Sequence, residues 1–244
     1  MQNGKIVEEA TKEDNEFKFN ANYTKALYES AQLNKSIEKK NIGNSIIEFD
    51  SVSKKFSNNA VIKSLSFNVF SNEILGIVGR SGVGKTTICK LIMGIYKPNE
   101  GKILIQENAK IEMVYQNANM AINPSQNIYK ILNEENYIKN RKKYSKGEIK
   151  KYLKDFNLPY NVLEKKTSEL SGGQRQIVSI IRSLLNLPNV LILDEPTSSL
   201  DVLSQKKLLD LLKKIKAKYH LTYIIISHDE KVIEYMCDRY ILLK

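Results

Sequence analysis

The sequence predicts an α/β fold built around a mainly parallel sheet. Three observations lead to this prediction: short apolar runs typical of buried strands, amphipathic stretches with helical spacing, and a regular alternation of the two from about residue 190 onward. Parallel strands need long crossover connections, which are usually helices. Alternating strands and helices therefore favour a parallel sheet.

The composition indicates a chain that forms its own apolar core without disulfide bonds. Its 244 residues are enough for one sizeable domain with an extension or subdomain. Cys89 and Cys237 lie far apart without a cysteine and histidine cluster, which predicts neither a disulfide framework nor a zinc site. No apolar run approaches the ~18 residues of a membrane span, and the N-terminus lacks signal-peptide features. We expect a cytosolic chain that does not cross a membrane by itself.

The formal net charge of +11 is compatible with a nucleic acid or an anionic membrane surface as partner. The lysines, however, are spread along a chain that is also rich in asparagine and isoleucine, and no arginine-rich or aromatic-interleaved patch stands out. Solvated surfaces account for this charge. No nucleic-acid partner is expected.

The first half of the chain begins with a polar extension over residues 1–44, which contains a weakly helical stretch at Tyr23–Lys39. Alternation in "IIEFDSV" and "SLSFNVF" predicts half-buried strands, and the continuous apolar run "EILGIVG" predicts a buried strand. A glycine-rich loop follows. It leads into a helix in "KTTICKLIMGIY", where apolar residues recur at Ile88, Leu91, Ile92 and Ile95.

The second half predicts a helical middle region followed by α/β alternation. Short strands in "KILI" and "IEMVY" precede a helix in "QNIYKILNEENYIKN", and Ser145 and Glu148 have the spacing of a capping box that opens the helix "GEIKKYLKDF". An amphipathic helix follows in "SGGQRQIVSIIRSLL". The remaining elements are predicted as strand "VLILDE", helix Val202–Lys218, strand "LTYIIIS", helix Glu230–Met236 and strand "RYILL".

The glycine-rich loop satisfies the phosphate-binding pattern G-x-x-x-x-G-K-[ST] at every fixed position from Gly79 to Thr86. Glycines allow the backbone amides to turn inward around a phosphate, and the N-terminus of the following helix adds free N–H groups. Lys85 is expected to contact the β- and γ-phosphates, Thr86 to bind Mg²⁺, and Thr87 to contact the α-phosphate. The residues expected to surround the phosphates are Gly79, Arg80, Ser81, Gly82, Val83, Gly84, Lys85, Thr86 and Thr87.

An acidic pair ends the buried strand "VLILDE". Asp194 is expected to hold the magnesium shell, directly or through water, and Glu195 to act as a general base or to polarise the attacking water. Such a pair is also common as a helix cap. The upstream phosphate loop favours the catalytic interpretation.

A second cluster of free amides is predicted at "LSGGQRQ", where Ser171, Gly172 and Gly173 open a helix. One phosphate loop already serves one nucleotide, so this cluster suggests contact with a different one. The alternative is a helix start that is merely relaxed by glycine.

From about Ile46 to its end, the chain resembles the ATPase subunits of ABC transporters. "GRSGVGKTT" is similar to the Walker A loop, "LSGGQ" to the family signature and "LILDE" to the Walker B strand, and Gln116, Asp201 and His228 match the Q-loop, D-loop and switch positions in order. The resemblance implies a P-loop NTPase core with a mainly parallel sheet, a small antiparallel β subdomain and a helical signature subdomain. The ATPase domain would span residues 45–244, with its helical subdomain at about 117–187.

The resemblance also implies roles for individual residues. Glu195 would be the catalytic carboxylate, His228 would contact the γ-phosphate, and Gln116 would link the magnesium site to a transmembrane partner. Phe56 would stack on adenine, with ordinary strand packing as the alternative. In this family two ATPase subunits pack head to tail, so that the signature of one contacts the ATP of the other. The residues implied for that contact are Ser171, Gly172, Gly173, Gln174 and Asp201.

The leading hypothesis is the motor subunit of a multi-subunit importer, peripheral on the cytoplasmic face of the membrane. "QNANMAINP" partly resembles a stretch of the peptide and nickel importer ATPases, although Asn117 and Ala118 replace the usual Asp-Pro. The implied partners are membrane permease subunits, a second ATPase subunit that is a copy or a paralogue, and indirectly a solute-binding protein; ATP and Mg²⁺ are the implied cofactors. The alternative is a soluble non-transport ATPase of the same type that acts on nucleic acid or as a regulatory module.

Overall fold

The structure, a computed structural model, describes residues 12–13, 16–17, 43–57, 59–116, 123–138 and 143–243. The predicted helical stretch Tyr23–Lys39 and residues 117–122 of the "QNANMAINP" segment lie outside these residues. A short antiparallel pair, β1 (Lys12–Glu13) and β2 (Glu16–Phe17), is described in the extension. The remaining elements start at Ser45.

Three strands form an antiparallel sheet in the order β4-β3-β6. They are β3 (Ser45–Phe56), β4 (Asn59–Phe70) and β6 (Glu100–Ile105). Their alternating apolar residues place one face of the sheet on the core, which is the behaviour expected of antiparallel strands with one solvated face. Phe49 and Phe67 are register partners and their rings stack with a centroid distance of 4.4 Å.

Five parallel strands form the central sheet in the order β10-β5-β9-β8-β7. Their bounds are Ile74–Val78 for β5, Ile111–Val114 for β7, Val190–Asp194 for β8, Thr222–Ile226 for β9 and Arg239–Leu242 for β10. The three inner strands are fully buried along their length, as their continuous apolar runs predict. Parallel strands align their carboxyl ends at one edge, so the loops after β5, β8 and β9 meet there.

Six helices flank these sheets in the described residues. They are α1 (Lys85–Ile92), α2 (Ile128–Ile138), α3 (Lys146–Asp155), α4 (Gly172–Leu184), α5 (Val202–Tyr219) and α6 (Glu230–Met236). The capping box predicted at α3 is present, because Ser145 Oγ accepts from the Glu148 amide and the Glu148 carboxylate accepts from the Ser145 amide. Short 3₁₀ turns at Tyr160–Glu164 and Thr167–Glu169 connect α3 to α4.

The apolar core is divided by the parallel sheet into two clusters. On β8, Val190 and Ile192 face the cluster shared with the antiparallel sheet and α1, whereas Leu191 and Leu193 face the cluster shared with α4, α5 and α6. This alternation follows from the two-residue period of a strand. The sheet is therefore held from both sides, which fixes the loops at its carboxyl edge.

One sequence prediction about α1 is wrong. Ile95 was expected to continue the apolar face of this helix, but the helix ends at Ile92 and Ile95 is 55% exposed. Gly94 has a φ of 70°, a left-handed conformation that glycine adopts readily and that terminates helices. The apolar spacing continues past the point where the backbone turns away.

No helix among the described residues is both long enough and apolar enough to span a membrane.

Candidate functional site

The glycine-rich loop connects β5 to α1, as the phosphate-loop pattern requires. Gly84 caps α1 with a φ of 110°, and a Cβ placed there would lie 2.8 Å from Ile62 Cδ1 and 2.9 Å from Val61 Cγ1. Both its backbone conformation and the space around it therefore require glycine. The loop is therefore closely packed against β4 at Gly84.

Lys85 is held by the loop itself. Its ammonium donates to the carbonyl oxygens of Gly79 at 2.6 Å and Arg80 at 2.9 Å, although the residue is buried. A lysine ammonium has three N–H donors, so these two contacts leave one for an anion in front of the loop. The loop thus orients the charge instead of leaving it to a flexible side chain.

Thr86 and Asp194 bring the start of α1 and the end of β8 together. Thr86 Oγ1 lies 3.4 Å from Asp194 Oδ2 and donates to it. Burial, and next the neighbouring Glu195 carboxylate, raise the pKa of Asp194 above its ordinary value; the Thr86 hydrogen bond acts in the opposite direction. A cation beside Asp194 would favour its charged form.

The Thr86 hydroxyl, the Asp194 carboxylate and the Gln116 amide suit a hard cation such as Mg²⁺, which takes oxygen ligands and usually retains several waters. No group of three or more histidine, cysteine and acidic residues with metal-site geometry occurs in the described parts of the chain. Mg²⁺ held with phosphate oxygens and water does not need such a group. The residues present therefore fit the ion.

Glu195 and His228 form the closest pair of titratable groups in the site. His228 Nδ1 lies 2.8 Å from both carboxylate oxygens of Glu195, while Glu195 is buried and the imidazole is largely exposed. Glu195 has a φ of 49°, an uncommon conformation for a residue other than glycine. Its amide donates to Ile226 of β9, and the amide of Ser198 donates to its carbonyl. These backbone contacts hold the carboxylate at the carboxyl edge of the sheet.

These groups line one cavity of about 410 Å³. Its lining residues come from the phosphate loop, from α1 and from the ends of β7, β8 and β9. All ten lining residues were predicted from the sequence: Ser81, Gly82, Gly84, Lys85, Thr86, Thr87, Gln116, Asp194, Glu195 and His228.

Other predicted residues lie outside this cavity. Gly79, Arg80 and Val83 line an adjoining space of about 630 Å³ that also reaches His228. Phe56 does not line either space. Its ring packs edge to face on Tyr96 at 5.1 Å, with Lys54 Nζ 5.2 Å from the Phe56 centroid. Phe56 is also 39% exposed, and adenine stacking stays a prediction.

The signature residues are also outside the cavity. Ser171 caps α4 by accepting from the Gln174 amide, and Gln174 completes a capping box. Gly172 and Gly173 begin the helix, and Asp201 caps α5 through Ser204. Hydrogen bonds from Ser204 lower the pKa of Asp201. Within the described residues of one chain, the second amide cluster and the phosphate loop do not share a cavity.

Two supporting residues were not predicted. Ser198 Oγ donates to the carbonyl of Glu195 at 3.1 Å and tightens the turn that carries it. Gln205 Nε2 donates to Asp229 at 3.3 Å, which ties α5 to the loop next to His228. The sequence offers no local signal for Gln205, because its partner lies on another element.

Comparison with known proteins decides the family. The family model described as "ABC transporter" matches residues 62–198, more than half of the chain. This chain belongs to the ABC transporter family. The match covers the phosphate loop, the signature and the acidic strand end, while β9 and His228 lie beyond it.

Curated relatives of this ABC chain include ATP-binding proteins of importers. It is 35% identical over 210 residues to the spermidine/putrescine import ATP-binding protein PotA of Mycoplasma capricolum, which covers 82% of this chain and 59% of the relative. The zinc import ATP-binding protein ZnuC of Rickettsia bellii is 39% identical over 186 residues, with 75% and 76% covered. The probable D,D-dipeptide transport ATP-binding protein DdpF of Escherichia coli is 34% identical over 183 residues, with 73% and 59% covered. The chain thus spans little more than half the length of PotA and DdpF.

Solved structures agree with the fold of this ABC chain. CbiO1 of Clostridium perfringens, part of the ABC transporter complex CbiONQ, has a TM-score of 0.73 at 26% identity and covers 82% of this chain and 85% of its own. A dimer of the ATP-binding cassette MJ0796 bound to ADP and phosphate has a TM-score of 0.68 at 29% identity, with 82% and 94% covered. The predicted α/β fold, with its parallel sheet, small antiparallel sheet and flanking helices, is confirmed.

Proposed function

We propose that this chain hydrolyses ATP to drive an ABC importer. The observation that carries the proposal is the single cavity in which a phosphate loop faces the Glu195 and His228 pair. Phosphoryl transfer needs positioning and charge stabilisation more than covalent chemistry by the protein. This cavity offers an oriented ammonium, a row of amides, oxygen ligands and a buried carboxylate at one edge of a rigid sheet.

We propose a task for each residue. Lys85 and the amides of the loop bind phosphate oxygens, and Thr86 and Asp194 would hold Mg²⁺, which would supply positive charge next to the phosphates. Glu195 accepts a proton from water, or polarises it, in line with the γ-phosphate. His228, 2.8 Å from that carboxylate, orients it and contacts the γ-phosphate. Gln116 couples nucleotide binding in the cavity to the membrane subunits.

We propose that a second ATPase subunit, a copy of this chain or a paralogue, completes the site. Gly172 and Gly173 begin α4, yet neither they nor Ser171, whose own amide donates to Gln174 Oε1, line the nucleotide cavity of their own chain. Amides at a helix N-terminus favour an anion. In a head-to-tail pair, the start of α4 in one copy faces the γ-phosphate held by the other, and Asp201 lies beside that contact.

The transport role rests on the relatives, whose names describe import of spermidine/putrescine and of zinc and transport of a D,D-dipeptide. We propose that the partners are membrane permease subunits, with a solute-binding protein as an indirect partner, and that the chain lies peripherally on the cytoplasmic face of the membrane. A peptide, nickel or a metal complex is our proposed solute. This solute class was suggested by the segment at residues 116–124, of which the structure describes residues 116, 123 and 124.

The Glu195→Gln variant tests the hydrolytic role. We expect phosphate release from Mg·ATP to fall by about a hundredfold or more, because the amide cannot accept the proton, while ATP binding persists. Steady-state phosphate release and fluorescence titration with a labelled ATP measure the two properties separately.

Glu164→Gln is the matched control, since it makes the same chemical change at an exposed carboxylate that contacts Lys146 outside the cavity. It should leave both measurements unchanged. Full phosphate release by the Glu195→Gln variant would contradict the proposal.

A further inference from the structure

The residue that follows His228 is held on three sides. Asp229 Oδ1 accepts from the amide of Lys231 at 3.0 Å and so caps α6, and Asp229 Oδ2 accepts from Gln205 Nε2 at 3.3 Å. The amide of Asp229 donates to Ser227 Oγ at 3.0 Å. Both carboxylate oxygens and the amide of Asp229 are therefore engaged, between the end of β9 and the start of α6.

Of these three contacts, the one from Gln205 reaches Asp229 from a distant part of the chain, 24 residues away. Gln205 lies in the first turn of α5, where its amide donates to the carbonyl of Asp201 at 2.8 Å. Further along the same helix, Leu208 and Leu209 are buried in the core. A helix anchored in this way is a rigid support, so Gln205 fixes Asp229 relative to the body of the domain.

The imidazole of His228 needs such support, because packing restrains it little. Its side chain is 66% exposed, although Nδ1 lies 2.8 Å from the buried Glu195 carboxylate. The direction of an exposed side chain depends on the backbone from which it extends. On the β9 side, this backbone is joined to β5 by the Ser227 amide, 3.4 Å from the Ile77 carbonyl, and on the α6 side it is joined to α5 by Gln205.

We propose that Gln205 is a positioning residue: its hydrogen bond to Asp229 holds the loop that carries His228 and thereby keeps the imidazole on the Glu195 carboxylate. The inference rests on the proposed function, because the pair that Gln205 aligns is the pair assigned to the activation of water. Gln205 itself does not line the nucleotide cavity. Misplacement of a catalytic group by about 1 Å can slow a reaction about a hundredfold, so we expect about tenfold from one restraint among several.

The ring signals of the histidines in NMR spectra test the alignment without any hydrolysis. The chain has two histidines, so isotope-labelled histidine gives two ring signals in the full chain, and His220, at the opposite end of α5, is the internal reference. Glu195→Gln defines the signal of His228 when the ionic pair is broken. Gln205→Ala should move the His228 signal toward that position and leave the His220 signal in place.

The kinetics of phosphate release from Mg·ATP test the effect on the reaction. Gln205→Ala should lower kcat about tenfold and leave KM for ATP within about twofold of the parent value, because Lys85 and the amides of the loop are unchanged. Gln205→Glu has the same shape but no N–H donor, and it places two carboxylates together. It should therefore lower kcat at least as much.

Reversal of donor and acceptor distinguishes positioning from a general loss of stability. In the Gln205→Glu/Asp229→Asn chain, the amide introduced at position 229 can donate to the carboxylate introduced at position 205, while its oxygen still caps α6. This chain should recover most of the parent kcat and the parent position of the His228 signal. If the Gln205→Glu chain does not fold, Gln205→Ala, which adds no charge, decides the result.

Gln106→Glu is the matched control, because it removes the same kind of donor from an exposed contact of 2.6 Å with the Ser45 carbonyl. It should change neither measurement. An unmoved His228 signal in the Gln205→Ala chain, a loss of kcat that the reversed pair does not restore, or a rise in KM that accounts for the whole loss would each overturn the inference. A parent chain that releases no phosphate would contradict the proposed function alone, since the ring signals still decide whether Gln205 positions His228.

Discussion

At the scale of single residues, the nucleotide cavity is notable for how little freedom its groups have. Lys85 is fixed by two loop carbonyls, Asp194 is buried beside Thr86, and Glu195 is kept in a left-handed backbone conformation by Ile226 and Ser198. Preorganised groups of this kind stabilise charge without reorganising at the moment of reaction. We infer that the strain at Glu195 serves to direct its carboxylate at the cavity.

Gly84 provides a prediction at this scale. Gly84→Ala should reduce the free energy of unfolding by about 1–3 kcal/mol, because an alanine is strained at a φ of 110° and its Cβ would contact Ile62 and Val61. ATP affinity should fall with it, since the amides of the loop are displaced. Urea unfolding and nucleotide titration measure the two effects.

Gly147→Ala is the control for this substitution. Gly147 lies in the first turn of α3, and the nearest atom to an added Cβ is Ser145 Oγ at 3.8 Å. Alanine there should stabilise the chain by about 0.5–1 kcal/mol through helix propensity and leave ATP affinity unchanged. A Gly84→Ala chain as stable and as tight-binding as the Gly147→Ala chain would show that the conformation of Gly84 is unimportant.

At the scale of elements, a polar contact joins the ends of α3 and α5. Asp155 accepts from Lys218 at 2.5 Å and from the Tyr219 hydroxyl at 2.6 Å, and the Tyr219 ring stacks on Tyr152 at 5.7 Å. Burial works to raise the pKa of Asp155, but these hydrogen bonds outweigh it and lower the pKa below its ordinary value. The helical region is thereby tied to α5, the helix that Asp201 caps.

Asp155→Asn should therefore lower the free energy of unfolding in a pH-dependent way. A carboxyl with a lowered native pKa stabilises the fold above its unfolded pKa of about 4, and this contribution is lost as the pH falls through the native value. At pH 7 we expect a loss of about 1–2 kcal/mol. The difference from the parent chain should shrink steadily below about pH 4.

Urea unfolding across this pH range measures the effect. Asp50→Asn, at an exposed pair with Lys102, should change stability by less than about 0.5 kcal/mol at any pH. A difference for Asp155→Asn that does not vary with pH would exclude the ionic contact as its cause.

The sequence predicted most elements because their signals are local. The capping box at Ser145, the continuous apolar run of β8 and the helix Glu230–Met236 all appear where the pattern placed them. Contacts between elements lack such signals. Neither the order β10-β5-β9-β8-β7 nor the link between Asp155 and Tyr219 can be read from spacing, because strand neighbours and tertiary partners depend on the whole fold.

In the candidate site, too, local sequence patterns predicted residues that contacts between elements did not. The phosphate-loop pattern and the acidic pair at a strand end predicted eight of the ten residues that line the nucleotide cavity, because each reports a local backbone arrangement, whereas Gln116 and His228 were implied by the family resemblance alone. Phe56 was inferred from its place in a family pattern, and the structure packs it on Tyr96 outside the cavity. Gln205 and Ser198 were missed, since their roles exist only once two elements or a turn have come together.

At the scale of the whole molecule, we propose that one chain holds only part of each catalytic site. The phosphate loop, Asp194, Glu195 and His228 lie together at the carboxyl edge of the sheet, whereas the free amides of α4 line a different part of the surface. In a symmetric pair of copies, the start of α4 in each copy would face the phosphate loop of the other copy. The pair would therefore contain two complete sites.

Mixing two inactive variants tests this claim most directly. Lys85→Ala removes the phosphate contact, and Gly172→Glu places a negative charge at the start of α4, where a Cβ meets no atom within 4 Å and the helix tolerates acidic residues. Each variant alone should release almost no phosphate from Mg·ATP. An equal mixture should recover about a quarter of the parent activity, because half of the pairs are mixed and each mixed pair has one intact site. A mixture that stays inactive, or a Gly172→Glu chain that is fully active alone, would contradict the shared site.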